Sequence, residues 1–212
     1  MEVYGYFRSS AAYRLRIALN LKGLTAEQHF IHLRRKEQRA AGYLAVNPMG
    51  LVPALVEDGR ALTQSLAIIE YLDETHPTPA LLPRDPFARA WVRSVALAIA
   101  CDIHPVNNLR VLNHLRDDLG LDEQARDAWY AHWVAEGFRG LEAMLAASPQ
   151  PGAFCFGDEP TLADACLVPQ VFNAERMNCP LDAYPTIRRV AAAARALPAF
   201  QAAEPGRQPD AE

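Results

Sequence analysis

At 212 residues, half of them hydrophobic, the chain is long enough to bury a sizeable core as one domain or two small ones. Its formal net charge of -4, with Lys and Arg scattered along the chain, supplies no basic field for a polyanion and argues against nucleic acid as a partner. No apolar run reaches bilayer length, the start at Glu2 lacks the basic opening of a signal peptide, and the four cysteines form neither a C-x-x-C pair nor a metal-ligand spacing with histidine. The expectation is a cytoplasmic protein with no membrane span and no metal, its thiols serving as small buried side chains.

Up to about residue 77, short β-rich runs alternate with helical patterns. Val3 to Phe7 reads as a strand, Ser10 to Lys22 as a helix and Gln28 to Leu33 as a second strand. A short helix is expected near Lys36 to Leu44, then strands Ala54 to Glu57 and Ala61 to Leu62 about the turn Asp58-Gly59. Ser65 to Thr75 closes the unit as a helix, with Leu66, Ile69 and Leu72 at helical spacing. The order is β-α-β-α-β-β-α.

The segment HPTPALLPRDP, with four prolines, cannot continue that helix and reads as an interdomain linker. Beyond it the composition turns to Ala, Leu, Arg and Asp at 3.6-residue periodicity, the texture of a helical bundle. GDEPTLADACLVPQ holds a well-marked helix start, with Thr161 and Asp164 placed for a capping box and no catalytic role assigned. The tail after Phe200 is polar and Pro-containing and is expected to be loose. A βαβ half and a ββα half followed by helices is the layout of a thioredoxin-like domain, residues 1–80, joined to an all-helical domain, residues 87–212: α/β plus all-α.

In FRSSAAYRLRIAL an arginine and two serines stand where a strand turns into a helix. A helix N-terminus presents unpaired N–H groups and a partial positive charge, so it stabilises an anion. Read alone, Ser9 and Ser10 are ordinary capping residues. Arg14 and Arg16, further along, read as solvated or ion-paired on the helix.

FRSSAAYRLRIAL, NPMGLVPAL, LTQSLAIIEYLDE and GDEPTLADACLVPQ, in that order and spacing, resemble the cytosolic glutathione transferases. The Arg-Ser-Ser opening resembles their zeta class, which includes the maleylacetoacetate and maleylpyruvate isomerases, and CDIHPVNNLR resembles the bacterial maleylpyruvate isomerases. The resemblance implies glutathione as cofactor. Ser9 would donate its hydroxyl proton to the glutathione thiolate, with Ser10 as a second donor beside Ala11. Where the class commonly has a cysteine after the two serines, this chain has Ala11, so no protein thiol acts there.

By the same resemblance Pro53 is cis and turns the Val52 backbone toward the cysteinyl part of glutathione, while Gln64 and Ser65 receive its γ-glutamyl carboxylate. Gln38 is a further contact. His104 and Asn108, four apart on one helical face, are implied near the tripeptide, with Asp102 nearby from the same or the partner subunit. Arg8, Arg110 and Arg176 match positions associated with substrate binding, where cations would clamp a dianionic substrate and steady charge developing on its enone.

The activity implied is cis-trans isomerisation of maleylpyruvate or maleylacetoacetate, in aromatic compound degradation, by reversible thiolate addition. Leu51, where many zeta members have glutamine, leans toward maleylpyruvate. A general transferase conjugating or dehalogenating small electrophiles is the alternative enzyme, and an idle member of the fold serving in protein binding a third reading. A homodimer is implied.

Overall fold

The structure, a computed structural model, describes residues 1–212. Strand β1 (Glu2–Gly5) lies parallel to β2 (Glu27–Phe30), and helix α1 (Ser10–Lys22) makes the crossover between them. Helix α1 is capped at its start by Ser9 and stopped by Gly23, whose φ of 64° is the left-handed conformation that glycine adopts without penalty.

The helix expected over Lys36 to Leu44 is replaced by two 3-10 turns, Leu33–Arg35 and Glu37–Arg39, and a short α2 (Ala41–Val46). Lys36 at φ 61° and the extended Ala40 interrupt any continuous ladder there. Strands β3 (Ala54–Glu57) and β4 (Arg60–Thr63) form an antiparallel hairpin whose two turn residues, Asp58 and Gly59, both have positive φ, as a tight two-residue turn requires. Helix α3 (Ser65–Thr75) follows. The sheet order is β2-β1-β3-β4, with only the β1–β2 pair parallel.

The core of this unit joins Leu15, Ile17 and Ala18 of α1 to Leu55 of β3 and Ile68, Ile69 and Leu72 of α3, none more than 1% exposed. Each of these leucine and isoleucine side chains contributes about 1.5–3 kcal/mol by leaving water. The proline-rich stretch after α3 is tied down by Lys22, whose Nζ donates to Asp73 Oδ1 and to the carbonyls of His76 and Pro79, each at 2.8 Å. Asp73 Oδ1 also accepts from the Leu81 N–H at 2.7 Å.

The second unit is helical. It comprises α4 (Pro86–Leu97), which runs into a π-helical segment at Ala98–Ile103 and a 3-10 turn at Pro105–Asn107, then α5 (Leu109–Asp117), α6 (Glu123–Ala146), α7 (Leu162–Arg176) and α8 (Pro185–Arg195). The expected capping box starts α7. Asp164, fully buried, accepts from the Thr161 N–H and from the Cys155 N–H, both at 2.8 Å, and burial pushes its carboxyl up while these donors pull it down. Phe138, Leu141, Leu167, Val171 and Ile187 fill the core. No helix is long and apolar enough to cross a membrane.

The compact units are residues 1–81 together with 195–212, and residues 82–194. The tail expected to be loose and to belong with the helical domain is therefore ordered on the N-terminal unit. Helix α9 (Pro198–Ala203) packs against α1, burying Phe200 and Ala203, and the polar residues beyond it find hydrogen-bond partners there. Composition alone could not reveal those partners.

Candidate active site

In the N-terminal unit the strand-to-helix junction is held by a serine cap. Ser9 caps α1: its Oγ accepts from the Ala12 N–H at 3.2 Å, its carbonyl accepts from the Tyr13 N–H, and its own N–H donates to the Tyr6 carbonyl at 3.0 Å. With Oγ already accepting, the hydroxyl proton remains available to an anion. The N–H groups of Ser10 and Ala11 lie in the first turn, where a helix offers them no internal acceptor. Ser9 is half-buried and Ser10 buried, and the Arg8 guanidinium sits over the Phe7 ring, 4.9 Å from its centroid.

The NPMGLVP loop is stapled from inside by the buried Asn47. Its Nδ2 donates to the Leu51 carbonyl at 2.6 Å and its Oδ1 accepts from the Met49 N–H at 3.1 Å, while the Tyr43 hydroxyl donates to the same Leu51 carbonyl. Burial pushes that Tyr43 phenol up to about 12. Gly50, at φ 59°, is required there because a Cβ would stand 2.9 Å from the Gln38 carbonyl oxygen and 3.0 Å from the Arg39 guanidinium. The turn thus carries Gln38 beside the Leu51–Val52 segment, and the Gln38 side-chain oxygen is buried without a hydrogen-bond partner. The Val52–Pro53 bond is cis.

Gln64 precedes α3 at φ 71°, ψ 115°, a conformation that costs a non-glycine residue about 1–3 kcal/mol and tends to persist at functional sites. Ser65, 6% exposed, accepts on Oγ from the Arg14 guanidinium at 3.3 Å. This corrects the expectation of solvation for the two helix arginines. Arg14 is 2% exposed, and Arg16, whose burial brings its guanidinium down to about 10, donates to the carbonyls of Phe7 and Ala203, both at 3.0 Å. Arg14 was open to detection: spacings of three and four place it on the same face of α1 as the buried Ala11 and Ala18.

The helical unit holds a second group. Asp102 and the exposed Cys101 lie in the π-helical segment, a feature that recurs where helices are bent for function, and the exposed thiol departs from the expected burial. His104 and Asn108 do not share one continuous helical face, because the chain passes through the 3-10 turn between them. Their side chains still approach, Asn108 Nδ2 lying 3.5 Å from His104 Nε2, and Asn108 Oδ1 caps α5 by accepting from the Arg110 N–H at 3.1 Å. Asn107 beside them donates to the Tyr130 carbonyl, and the Tyr130 phenol, pushed up to about 12 by burial, feels the opposing positive charge of Arg176. Arg110 and Arg176 are both exposed, the latter as the last residue of α7. Gly137 of α6 lets the π segment approach: a Cβ there would overlap Ile103 at 2.2 Å.

The N-terminal residues 8–75 match the glutathione S-transferase N-terminal domain and residues 127–203 the glutathione S-transferase C-terminal domain. The chain is 50% identical to the maleylacetoacetate isomerase of Pseudomonas aeruginosa, with 99% of this chain and 98% of that protein covered. Among solved structures it superposes with TM-score 0.98, at 49% identity and full coverage of both chains, on the holo form of a maleylpyruvate isomerase described as a bacterial zeta-class glutathione S-transferase. It superposes with TM-score 0.96, at 41% identity and full coverage of both chains, on a maleylacetoacetate isomerase of Methylobacterium extorquens holding malonate and glutathione. With the thioredoxin-like sheet, the helical unit and the serine-capped junction in place, the chain belongs to the glutathione S-transferase family, within its zeta class.

Proposed function

We propose that the protein is a glutathione-dependent cis-trans isomerase of maleylpyruvate or maleylacetoacetate, acting in the cytoplasm in the breakdown of aromatic compounds. The observation that carries this reading is Ser9, which caps α1 while keeping a hydroxyl proton to give. The residues present fit glutathione. Gln38 offers a buried oxygen with no partner to the N–H donors of the tripeptide, Ser65 and the α3 N-terminus suit its γ-glutamyl carboxylate, and Val52 borders the strand at which an extended peptide would pair. When bound, glutathione supplies the thiolate nucleophile that adds to and leaves the substrate double bond.

The chain's own part is to hold that sulfur ionised and to receive the substrate's charges. Ser9 and the first-turn N–H groups of α1 stabilise the anion, and Ser10 stands by as a second donor. Arg8, Arg110 and Arg176 supply the cations for a substrate with a carboxylate at each end and for the negative charge that gathers on its carbonyl oxygen. Asp102, His104 and Asn108 assist in holding the tripeptide. The dimer expected of the class is supported by the exposed apolar side chains of α4, Phe87 at 73% and Leu97 at 45%. Sedimentation equilibrium showing a stable monomer at micromolar concentration would contradict it.

The test of the function is an ultraviolet assay of isomerisation with both substrates, with and without glutathione. Turnover of at least one substrate that depends on glutathione without consuming it supports the reading. Turnover of neither, or consumption of glutathione in step with substrate, overturns it.

A further inference from the structure

Strand β1 ends at Gly5 and α1 begins at Ser10, so the Phe7 N–H and carbonyl and the Tyr6 carbonyl belong to neither element, yet all three are taken. The Phe7 N–H donates to Asp210 Oδ2 at 2.9 Å, and the Phe7 carbonyl accepts from Arg16 Nη2 at 3.0 Å. The Tyr6 carbonyl accepts from the Ser9 N–H and, at 3.5 Å, from Arg16 Nη1. Arg16 in turn holds the Ala203 carbonyl at the end of α9 through Nε. The Phe7 residue is thus gripped on both sides, its N–H by a carboxylate from the third-last residue of the chain and its carbonyl by a largely buried guanidinium.

The tail has two further ties. Gln208 folds it back through hydrogen bonds from Nε2 to the carbonyls of Ala202 and Glu204. Glu212 pairs with His32 at 2.5 Å and lies 3.8 Å from Arg34, and the His32 ring faces Tyr6 at 5.3 Å. The charged and titratable groups about the junction include Arg8, Arg16, His32, Arg34 and Arg35 against Glu37, Asp210 and Glu212.

We propose that the C-terminal segment 204–212 is a strap that positions the thiolate-binding junction, with Asp210 as the positioning residue: by holding the Phe7 N–H it sets the place of Ser9, two residues on. The inference rests on the reading of Ser9 as donor to the glutathione thiolate. Misplacing a donor by about 1 Å can cost about a hundredfold in rate, so a single backbone hydrogen bond at this point has leverage on chemistry.

The sign of the effect separates positioning from charge. If Asp210 acted through its negative charge alone, it would disfavour a nearby thiolate, and removing it would lower the pKa of the bound thiol. If it acts by holding the junction, removal raises that pKa.

The experiment uses the full chain and glutathione, following thiolate absorbance against pH together with steady-state isomerisation. Asp210→Ala, which loses the acceptor, should raise the bound-thiol pKa by roughly half a unit or more and cut kcat about tenfold, with KM for glutathione changed less than about threefold. Asp210→Asn keeps an oxygen for the Phe7 N–H and should recover most of the loss. Amide exchange in residues 7–10 should quicken in Asp210→Ala while the rest of the chain keeps its protection.

Ser9→Ala is the parallel control. If it raises the thiol pKa and Asp210→Ala leaves it unchanged or lowers it, the strap is a structural tie and the proposal is overturned while the Ser9 reading stands. If neither variant raises it, the Ser9 reading falls and this inference falls with it.

Discussion

Arg14 on α1 and Ser65 on α3, 51 positions apart in sequence, meet in the interior of the N-terminal unit, the guanidinium donating to the serine oxygen at 3.3 Å. Because that oxygen accepts from Arg14, the serine keeps its own proton to give to another acceptor, which in the proposed reading is the γ-glutamyl carboxylate at the start of α3. Arg14→Lys keeps the charge but loses the planar fork, so KM for glutathione should rise about tenfold, equivalent to about 1.4 kcal/mol. Titration of the enzyme with glutathione by calorimetry measures the affinity directly. Unchanged affinity in a folded Arg14→Lys variant would remove Arg14 from the site.

Lys22 holds the linker through three acceptors while its side chain is 0% exposed and that of Asp73 only 5%. Lys22→Met leaves the Asp73 carboxylate uncompensated and two carbonyls without their donor, so folding stability should fall by about 3–5 kcal/mol. Urea unfolding, monitored by tryptophan fluorescence and circular dichroism together, reads this out. A loss below about 1 kcal/mol would mean that water replaces the ammonium and that the linker is held by other contacts.

Most strands and helices were legible in the sequence because periodicity reports burial, and burial is what orders them: α1 and α3 run over the residues expected, and the hairpin turns at Asp58-Gly59. What escaped were features whose partners lie far away along the chain. Arg16 and Asp210 are polar letters in a local window, and only the folded chain supplies the Ala203 carbonyl and the Phe7 N–H to satisfy them, while for Arg14 the buried helical face was readable but its partner Ser65 was not. The break over Lys36 to Ala40 escaped for the opposite reason: the backbone turns left-handed at Lys36 and extended at Ala40 within a stretch of good helix formers. The serine cap at the start of α1 was readable from the motif. The π segment carrying Asp102 was not, since helical spacing does not distinguish it from an α-helix.

Gly137 is the contact that lets this π segment settle against α6. Gly137→Ala would place a methyl within the volume of Ile103 Cγ1 and Cδ1, and relief requires moving either the Ile103 rotamer or the segment itself. Overpacking of this kind costs about 1–3 kcal/mol. Since Ile103 lies between Asp102 and His104, the variant should also weaken glutathione binding several-fold. Combining it with Ile103→Val, which removes one methyl, should restore part of both losses. If Gly137→Ala is as stable and as active as the parent, the close approach is not a constraint on the site.

Arg176 discriminates the isomerase from a general transferase. It is exposed at the end of α7, close enough to the buried Tyr130 phenol to oppose the effect of burial there. If its fork pairs with the carboxylate at the far end of the substrate, Arg176→Ala should lose about 2–4 kcal/mol of transition-state stabilisation, roughly a hundredfold in kcat/KM for isomerisation. Glutathione should bind as before. Arg176→Lys retains charge without the planar fork and should recover only part of the loss. The comparison substrate is 1-chloro-2,4-dinitrobenzene, which carries no carboxylate and should be conjugated equally slowly by parent and variants. The last turn of α7 would lose a favourable cation worth about 0.3–1 kcal/mol, a cost visible in stability and separable from the kinetics. Intact isomerisation in Arg176→Ala, or the same fractional loss with both substrates, would make Arg176 structural and withdraw the far-carboxylate clamp from the mechanism.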